Sequence, residues 1–542
     1  MYSNAEIIKA LQLTATLGEM HNANPFKLKA ISNAAFYIDK HDVDVSQLNE
    51  SDLSAIPGIG KSIAQKINDL KIKGTIPELE EWAKLTPIGV IELLQIKGLG
   101  AKKVKALWQE LGIESPGELL YACKENRLIS LKGFGDKTQA QVQKVLEYNL
   151  SSKGKIHYAE AFLWAESIKT IFEKFQIIIE ITGELKRQLE VISSIEFVCV
   201  EGFERWDKVE NDQIELQKTD HKLLGKLAHQ ISFVITEKSK NTIQLTGPQT
   251  HFEELLKLGA NFELETEVAI YQSVNLPFIA APLRDFDLKT ASQLAQNKPI
   301  QLIDLKGVLH NHSTYSDGAD TLKTMSQFVK DNGYEYFGIC DHSQAAFYAN
   351  GLKPDSVIAQ HAEIDNLNIE LAPFKVFKGI ECDILSNGDL DYPADILKSF
   401  DFVVASIHSN LRMDEEKAMM RLIKAIENPF TTILGHPTSR LLLSRPGYPI
   451  DHKKIIDACA DNGVIIELNA HPYRLDIDWR WLPYCMEKGV MISINPDAHE
   501  KKGIFDMKWG VAAAQKGGLT KELTFNTKSL KEIETYFLQR KL

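Results

Sequence analysis

The sequence predicts a multidomain α/β protein with an all-α N-terminal region, an α+β middle and a C-terminal parallel barrel. Three observations predict it. An apolar-x-Gly-apolar-Gly pattern recurs three times within the first 150 residues. Short β-branched runs alternate with helical stretches over residues 155–290. Beyond residue 300, short apolar runs that end in His, Asp or Glu alternate with helical segments.

Composition sets the outer bounds. The 542 residues are 44% hydrophobic and 25% charged, with 32 Gly and 19 Pro. That balance excludes disordered, collagen-like and low-complexity chains. The longest apolar runs fall far short of the roughly 20 residues that cross a bilayer, so no membrane span is expected. The start, MYSNAEIIKALQL, is polar and amphipathic and does not read as a secretion signal. Cys123, Cys199, Cys340, Cys382, Cys459 and Cys485 form no CxxC pair and are expected to be buried free thiols in a reducing cytoplasm. A net charge of −11 argues against a chain wrapped in nucleic acid. Residues 1–150, however, hold 18 Lys+Arg against 18 Asp+Glu, so the acidic excess lies downstream and local basic windows remain for phosphate.

The three N-terminal copies are IPGIGKSIAQKI (56–67), IKGLGAKKVKAL (96–107) and LKGFGDKTQAQV (131–142), spaced 40 and 35 residues apart. Such internal repetition is the first feature to interpret. The pairs Gly58/Gly60, Gly98/Gly100 and Gly133/Gly135 allow a tight turn with positive φ. Each turn then leads into a helix whose first amides are unpaired, which makes a backbone site for phosphate. Lys61 and Lys66 follow the first turn, and Lys102, Lys103 and Lys105 the second. The third carries Asp136 and fewer lysines, consistent with either binding or packing. The pattern resembles the helix-hairpin-helix motif, which implies a grip on DNA backbone without sequence readout. NPFKLKAISNAAFYI (24–38) with the first hairpin resembles the small N-terminal domain of family X DNA polymerases. Some members use a lysine there as a Schiff-base nucleophile on 5′-deoxyribose phosphate, and Lys66 falls at that place. That role needs a lowered pKa; the alternative is a lysine that contacts phosphate.

In the middle, IIIEITG (177–183), IEFVCV (195–200) and ISFVITE (231–237) read as strands. TGELKRQLEVISSIEFVCV (182–200) resembles the family X palm segment Gly-Ser-x-Arg-Arg followed by Asp-x-Asp. Gly183 is kept, Glu184 replaces the Ser, and the metal-binding carboxylates fall on Ser194 and Glu196. Residues 221–284 contain no Asp to supply the third. Nucleotidyl transfer of this type needs divalent ions held by clustered carboxylates, and a serine is no substitute for an anionic ligand. LTGPQTHF (245–252) and NLPFIAAPLRD (275–285) resemble further elements of the family. The expectation is an inherited palm scaffold with a degenerate polymerase centre.

The C-terminal runs are GVLHNH (307–312), YFGICDH (336–342), VFKGIECDI (376–384), DFVVASIH (401–408), TTILGHP (431–437), VIIELNA (464–470) and MISINPDAH (491–499). Alternating β and α over this length suggests a parallel barrel, whose functional groups collect at the C-terminal strand ends. The candidate metal ligands at those ends are His310, His312, Asp317, His342, Glu381, His408, His436, Asp497 and His499. They are too many for one tetrahedral zinc and suit about two or three ions sharing carboxylates. His-x-His and Asp-x-His spacing puts both side chains on one strand face. Imidazole with carboxylate favours Zn²⁺, Mn²⁺ or Fe²⁺ over Ca²⁺. Arg440 and Arg474 read either as phosphate clamps or as ion-pair partners of nearby acids. Asn469 is a candidate support for the ligands, and Asp341 a candidate to orient His342. His361, His452 and His471 read as packed or surface residues.

HNHSTYSDG, the Asp341–His342 pair, SIH with GHP, and PDAH resemble the four motifs of the PHP (polymerase and histidinol phosphatase) family over about residues 300–540. The resemblance implies a distorted (βα)7 barrel with a metal centre that hydrolyses phosphoesters. The chain thus divides into residues 1–150 (helix-hairpin-helix), 151–295 (palm and thumb remnant) and 300–542 (PHP barrel). That order resembles bacterial family X polymerases along essentially the whole length. It implies a cytoplasmic, monomeric, metal-dependent DNA phosphodiesterase, with 3′–5′ exonuclease action, or alternatively abasic-site endonuclease or 3′-phosphatase action, on gapped, nicked or 3′-ended duplex. Rival readings are a small-molecule phosphatase of the histidinol-phosphatase type, an active gap-filling polymerase and a non-catalytic DNA-binding scaffold.

Overall fold

The computed structural model describes every residue except 1, 41–44, 57, 97, 130, 132, 152–153, 210–213, 220, 228–230, 239–241 and 541–542. The chain forms two compact units. The first comprises Met1–Lys124 with Leu128–Glu147, and the second Glu125–Arg127 with Tyr148–Leu542.

The first unit is helical among its described residues. Helix Asn4–Met20 begins with a capping box in which Ser3 and Glu6 satisfy each other's backbone amides. Its Ile7 and Leu11 pack with Ile31 and Ala34 of Pro25–Lys40 and with Ile63 and Ile67 of Lys61–Lys73. Helix Ala101–Leu111 follows the second repeat and Asp136–Ser151 the third.

Besides a short antiparallel pairing of Ile156–His157 with Val191–Ile192, the second unit contains, among the described residues, a five-stranded and a seven-stranded sheet. In the smaller sheet, β1 (Ile178–Thr182), β2 (Ile195–Glu201), β3 (Ile214–Thr219), β4 (Lys222–Leu227) and β5 (Ile231–Glu237) take the order β1-β2-β5-β4-β3. Helix Tyr158–Glu173 covers one face, where Phe172 meets Phe233 edge-on at 6.2 Å between ring centroids. The β3–β4 hairpin is a strand pair that the sequence reading missed. β3 exposes most of its side chains, and β4 buries only every second one, so neither presents an apolar run.

The larger sheet comprises β6 (Gly307–Val308), β7 (Tyr336–Ile339), β8 (Lys375–Asp383), β9 (Phe402–Ser406), β10 (Ile433–Leu434), β11 (Ile465–Asn469) and β12 (Ile492–Asn495). They pair in sequence order and all in parallel. A parallel bridge from Asn311 to Ala498, just past the first and last strands, joins the two edges. The result is a nearly closed seven-stranded barrel. Strands buried on both faces must be apolar throughout, which is why β7, β9, β11 and β12 are buried along their entire length. The C-terminal helix Leu530–Arg540 packs against the barrel, with Phe537 stacked on Phe402 at 5.0 Å.

Within this unit a buried ionic node joins the smaller-sheet region to the barrel. Asp285 accepts from Arg187 Nε at 3.1 Å to each oxygen, and from Lys516 Nζ at 2.6 Å. Lys516 is fully buried, also donates to the carbonyls of Arg187 and Pro282, and lies over the Trp479 ring. No described helix is long and apolar enough to cross a membrane. All six cysteines are free and buried.

Removing one member of a buried ionic cluster leaves its partners charged and unpaired. Asp285→Asn keeps the shape but strands two cations, so urea unfolding is expected to show a loss of about 3 kcal/mol. A loss within about 0.5 kcal/mol would contradict this account of the node.

Candidate metal centre and DNA-contact turns

The parallel barrel brings all nine predicted ligands to one end. Glu381, near the end of β8, is their hub. Its carboxylate lies 2.9 Å from His342 Nδ1, 2.9 Å from His436 Nε2, 3.1 Å from His408 Nε2, 3.3 Å from His310 Nε2 and 3.7 Å from His312 Nε2. Asp497 lies 2.9 Å from His312 Nε2 and 3.5 Å from His310 Nε2. Asp317 lies 3.4 Å from His499 Nε2 and 3.6 Å from His342 Nε2. Ligand atoms within 4.8 Å of one another form three groups among the described residues: His312/Asp317/His342/His499, His310/His312/Asp497 and His342/Glu381/His408. His436 joins them through Glu381. The strands themselves are shorter than the sequence runs, and most ligands sit on the turns just beyond them. His310 and Asp497 adopt left-handed backbone conformations, φ 63° and 53°. For non-glycine residues these are uncommon and are sustained by surrounding structure.

A second layer fixes the ligands. Glu467 accepts from His310 Nδ1 at 2.6 Å, from the His436 amide at 2.7 Å and from Asn495 Nδ2 at 2.9 Å. Asp383 pairs with His408 Nδ1 at 2.8 Å. Asn469 Nδ2 donates to Asp497 Oδ2 at 3.0 Å. Carboxylates behind imidazoles set ring orientation and turn Nε2 inward. Glu467 and Asp383 were not among the predicted site residues. Their signal was present: Glu467 ends an apolar run, and Asp383 lies two residues from Glu381 on the same strand face.

Two predicted residues do something else. Asp341 does not orient His342; its carboxylate accepts from the amides and hydroxyls of Ser313 and Ser316 and from Gln360 Nε2. It thereby ties down the turn that carries Asp317. Arg440 turns away from the ligands, pairing with Asp478 at 2.5 Å and donating to the carbonyls of Arg474 and Leu475. It takes the ion-pair alternative. Arg474 is buried with Nε 3.8 Å from Asp497 Oδ2, at the edge of the cluster. Glu125, missed in the sequence, is buried with Oε1 3.9 Å from His499 Nδ1.

The electrostatics are those of anions and imidazoles packed together in a dry place. Burial opposes charge on His408, yet Glu381 and Asp383 outweigh it and hold the ring up at about 9. Burial is likewise overcome at His499, by Asp317 and Glu125, again to about 9. His312 is pushed down to about 3 by burial and by the charges of His499 and His342. Despite burial, the neighbouring histidines keep Asp317 and Glu381 well below the usual carboxylate range.

The residues fit bound cations. His310 Nε2, His312 Nδ1, Asp317 Oδ2, Glu381 Oε2 and His499 Nε2 are buried without a hydrogen-bond partner. Unsatisfied buried polar atoms are costly. Here they converge in one place, and imidazole with carboxylate is a donor set for divalent transition metals.

In the helical unit, Gly58, Gly98 and Gly133 have φ of 87°, 95° and 93°, so each repeat makes the expected left-handed turn. Gly60 and Gly100 cap the following helices without a side-chain bond. Around Gly60, Gly98, Gly100, Gly133 and Gly135 an added Cβ would meet nothing within 4 Å, so the turn backbones are open to a large ligand. Lys61 and Lys102 are exposed. Lys66 instead forms an ion pair with Glu78, Lys105 donates to Asn22 Oδ1 at 2.6 Å, and Lys103 lies over the Phe134 ring.

In the smaller sheet, Glu196 pairs in register with Thr182 and with Val234. Glu196 thus has the apolar Val234 as its register partner on β5. Gly183, at φ 60°, is in tight contact with Glu196: an added Cβ would come within 2.3 Å of its Oε2. Burial and Glu184 push the Glu196 carboxyl upward. Glu184 accepts from the Ser193 amide, and Ser194 is half-buried just before β2.

Family models match the helical N-terminal region and part of the barrel. The helix-hairpin-helix domain family matches residues 2–76, the SAM-like helix-hairpin-helix tandem family residues 90–147, and the PHP domain family residues 309–471. The chain is 32% identical to the DNA polymerase/3′-5′ exonuclease PolX of Bacillus subtilis, across 99% of both chains. It is 27% identical to a probable phosphatase of Acetivibrio thermocellus, which matches 43% of this chain and 95% of its own length. A probable phosphatase of Thermoanaerobacter is 30% identical over 32% of this chain and 74% of its own.

Metal ligands must be deprotonated, so cations and protons compete for this cluster. His408 and His499 hold protons up to about pH 9 in the metal-free protein. Binding of Mn²⁺ is therefore expected to release protons, and its affinity to rise from pH 6.5 to about 9. Calorimetry in two buffers of different ionisation enthalpy reads the released protons. An affinity that stays flat over this range, without proton release, would refute the assignment.

Proposed function

The chain belongs to the family of the DNA polymerase/3′-5′ exonuclease PolX, and from that premise we propose that its barrel hydrolyses DNA phosphodiesters at 3′ ends. The observation that carries this reading is the cluster around Glu381: three groups of buried ligands with unpaired donor atoms turned toward one another. Divalent ions bound there would supply an activated water and neutralise charge on the phosphate. The nine predicted ligands would hold about two or three ions, of zinc, manganese or iron.

The protein's own groups prepare the site. Glu467 and Asp383 hold the His310 and His408 rings with Nε2 inward. Asn469 holds one oxygen of Asp497, leaving the other toward His312. Asp341 fixes the turn before Asp317. Arg474 places a guanidinium at the edge of the cluster, where it would meet a phosphate oxygen.

The open glycine turns support a grip on the DNA backbone through amides at helix starts, aided by Lys61 and Lys102. Such contacts carry no sequence preference. Gapped, nicked or 3′-ended duplex is the substrate we infer, acted on by a monomer. The six free, buried cysteines support a cytoplasmic setting.

Polymerase activity is not part of this proposal. We read Ser194 and Val234 as taking the places of two carboxylates, so that Glu196 faces an apolar residue across the strand pair. A phosphatase reading has one observation in its favour: probable phosphatases are among the relatives, matching 43% and 32% of this chain. The hairpin turns weigh against it, since a small substrate has no use for them.

The test is a 5′-labelled gapped duplex incubated with Mn²⁺, with and without dNTPs. The expected result is primer shortening that falls by about 100-fold or more in His310→Ala and Asp497→Ala, with no extension. Extension by dNTPs would overturn the inactive polymerase centre. Intact primer alongside hydrolysis of a small phosphate monoester would favour the phosphatase.

A further inference from the structure

Glu190 ends the segment that resembles the palm motif, yet its carboxylate is engaged by residues that follow β11. It accepts from Trp479 Nε1 at 2.9 Å and from Arg480 Nη1 at 2.9 Å. From there a chain of alternating charge leads back toward the metal ligands. Arg480 Nη1 also donates to Asp478 at 2.9 Å, and Asp478 pairs with Arg440 at 2.5 Å. Arg440 Nε donates to the Arg474 carbonyl at 3.0 Å, and its Nη2 to the Leu475 carbonyl. The Arg474 side chain then places Nε 3.8 Å from Asp497 Oδ2. Burial works against charge on both acids of this chain. Arg480 nevertheless holds Glu190, and Arg440 with Arg480 holds Asp478, below the usual carboxylate range.

A second hold reaches the same loop from the same place. The short ladder pairs His157 with Val191, and the Tyr158 amide donates to the Glu190 carbonyl at 3.2 Å, so His157 and Glu190 are displayed side by side. The His157 ring stacks on Tyr473 at 4.1 Å between centroids, and its Nε2 lies 3.1 Å from the Leu442 carbonyl. The Leu442 amide donates to the Tyr473 carbonyl at 2.7 Å. Tyr473 immediately precedes Arg474. The loop is therefore gripped on both sides of that residue, through Tyr473 before it and through Arg440 at its own carbonyl and the next.

An arginine that meets a phosphate works best when its backbone is fixed before the substrate arrives, because small misplacements of a contacting group are costly in rate. We propose that Glu190 is a positioning residue for Arg474: it anchors the Arg480–Asp478–Arg440 chain that carries the Arg474 backbone, and so aims the guanidinium at a phosphate bound at the cluster. This inference rests on the DNA-hydrolase reading, in which Arg474 meets a phosphate oxygen. It gives the palm-like segment a part in hydrolysis through the loop it holds.

The test uses the full chain loaded with Mn²⁺, the 5′-labelled gapped duplex, and the variants Glu190→Gln, Arg474→Ala and their combination. Glu190→Gln is expected to lower kcat/KM about tenfold and Arg474→Ala about 100-fold. The double variant should match Arg474→Ala within about twofold, because a residue that acts only through another adds nothing once that other is gone. Calorimetric Mn²⁺ affinity should be unchanged in Glu190→Gln, since Glu467 and Asp383 hold the ligand rings. Arg480→Gln, at a half-exposed side chain, breaks the same link and serves if Glu190→Gln does not fold. Wild-type rates in the folded variant, losses that multiply in the double variant, or a weakened Mn²⁺ affinity would each overturn the positioning role. Binding of thymidine 5′-monophosphate to the Mn²⁺-loaded chain is measured alongside and should weaken in the same non-additive pattern. A duplex left intact by wild type sinks the DNA-hydrolase reading alone, whereas a nucleotide affinity indifferent to Glu190→Gln sinks the positioning role.

Discussion

A carboxylate buried among five imidazoles is the constraint on which the rest of this structure depends. Glu381 is 1% exposed, and His310, His312, His342, His408 and His436 all approach it within 3.7 Å. Neither a bare anion nor a set of lone imidazoles is stable in such a dry place. Protons meet the need in the metal-free protein, which is why His408 and His499 hold theirs to about pH 9. Cations would meet it better, because several donor atoms remain unpaired. The barrel supplies what this arrangement requires. Parallel strands deliver every C-terminal end to the same side, and the Asn311–Ala498 bridge brings the first and last of those ends together.

The second layer explains why the ligands do not collapse onto one another. Glu467 receives hydrogen bonds from His310, His436 and Asn495, which belong to three different strand ends. Asp341 gathers the loop from Ser313 to Ser316. The left-handed backbone at His310 and Asp497 is sustained by these contacts. Local preference is overruled there for the sake of the site.

The barrel and its ligands were legible in the sequence because a buried parallel strand must be apolar and ends where chemistry begins. Each of the nine ligands follows such a run. The hairpin turns were legible for a similar reason, since Gly58, Gly98 and Gly133 occupy backbone that other residues avoid. What was not legible depends on partners distant in sequence. Asp341 sits beside His342, yet its partners are Ser313, Ser316 and Gln360, and nothing local announces that. Arg440 resembles a phosphate clamp until Asp478 is seen to claim it. The β3–β4 hairpin escaped because its exposed face is polar. Glu125 lies far from the barrel motifs, and only the folded chain brings it near His499.

The central claim is that Glu381 is the shared ligand of a multi-ion site. The most direct measurement is anomalous diffraction from a crystal of the Mn²⁺-loaded protein, collected on both sides of the manganese edge. The account predicts separate anomalous peaks within the three ligand groups, with at least one of them bonded to a Glu381 oxygen. A single peak that does not touch Glu381, or none at full metal loading, would contradict it.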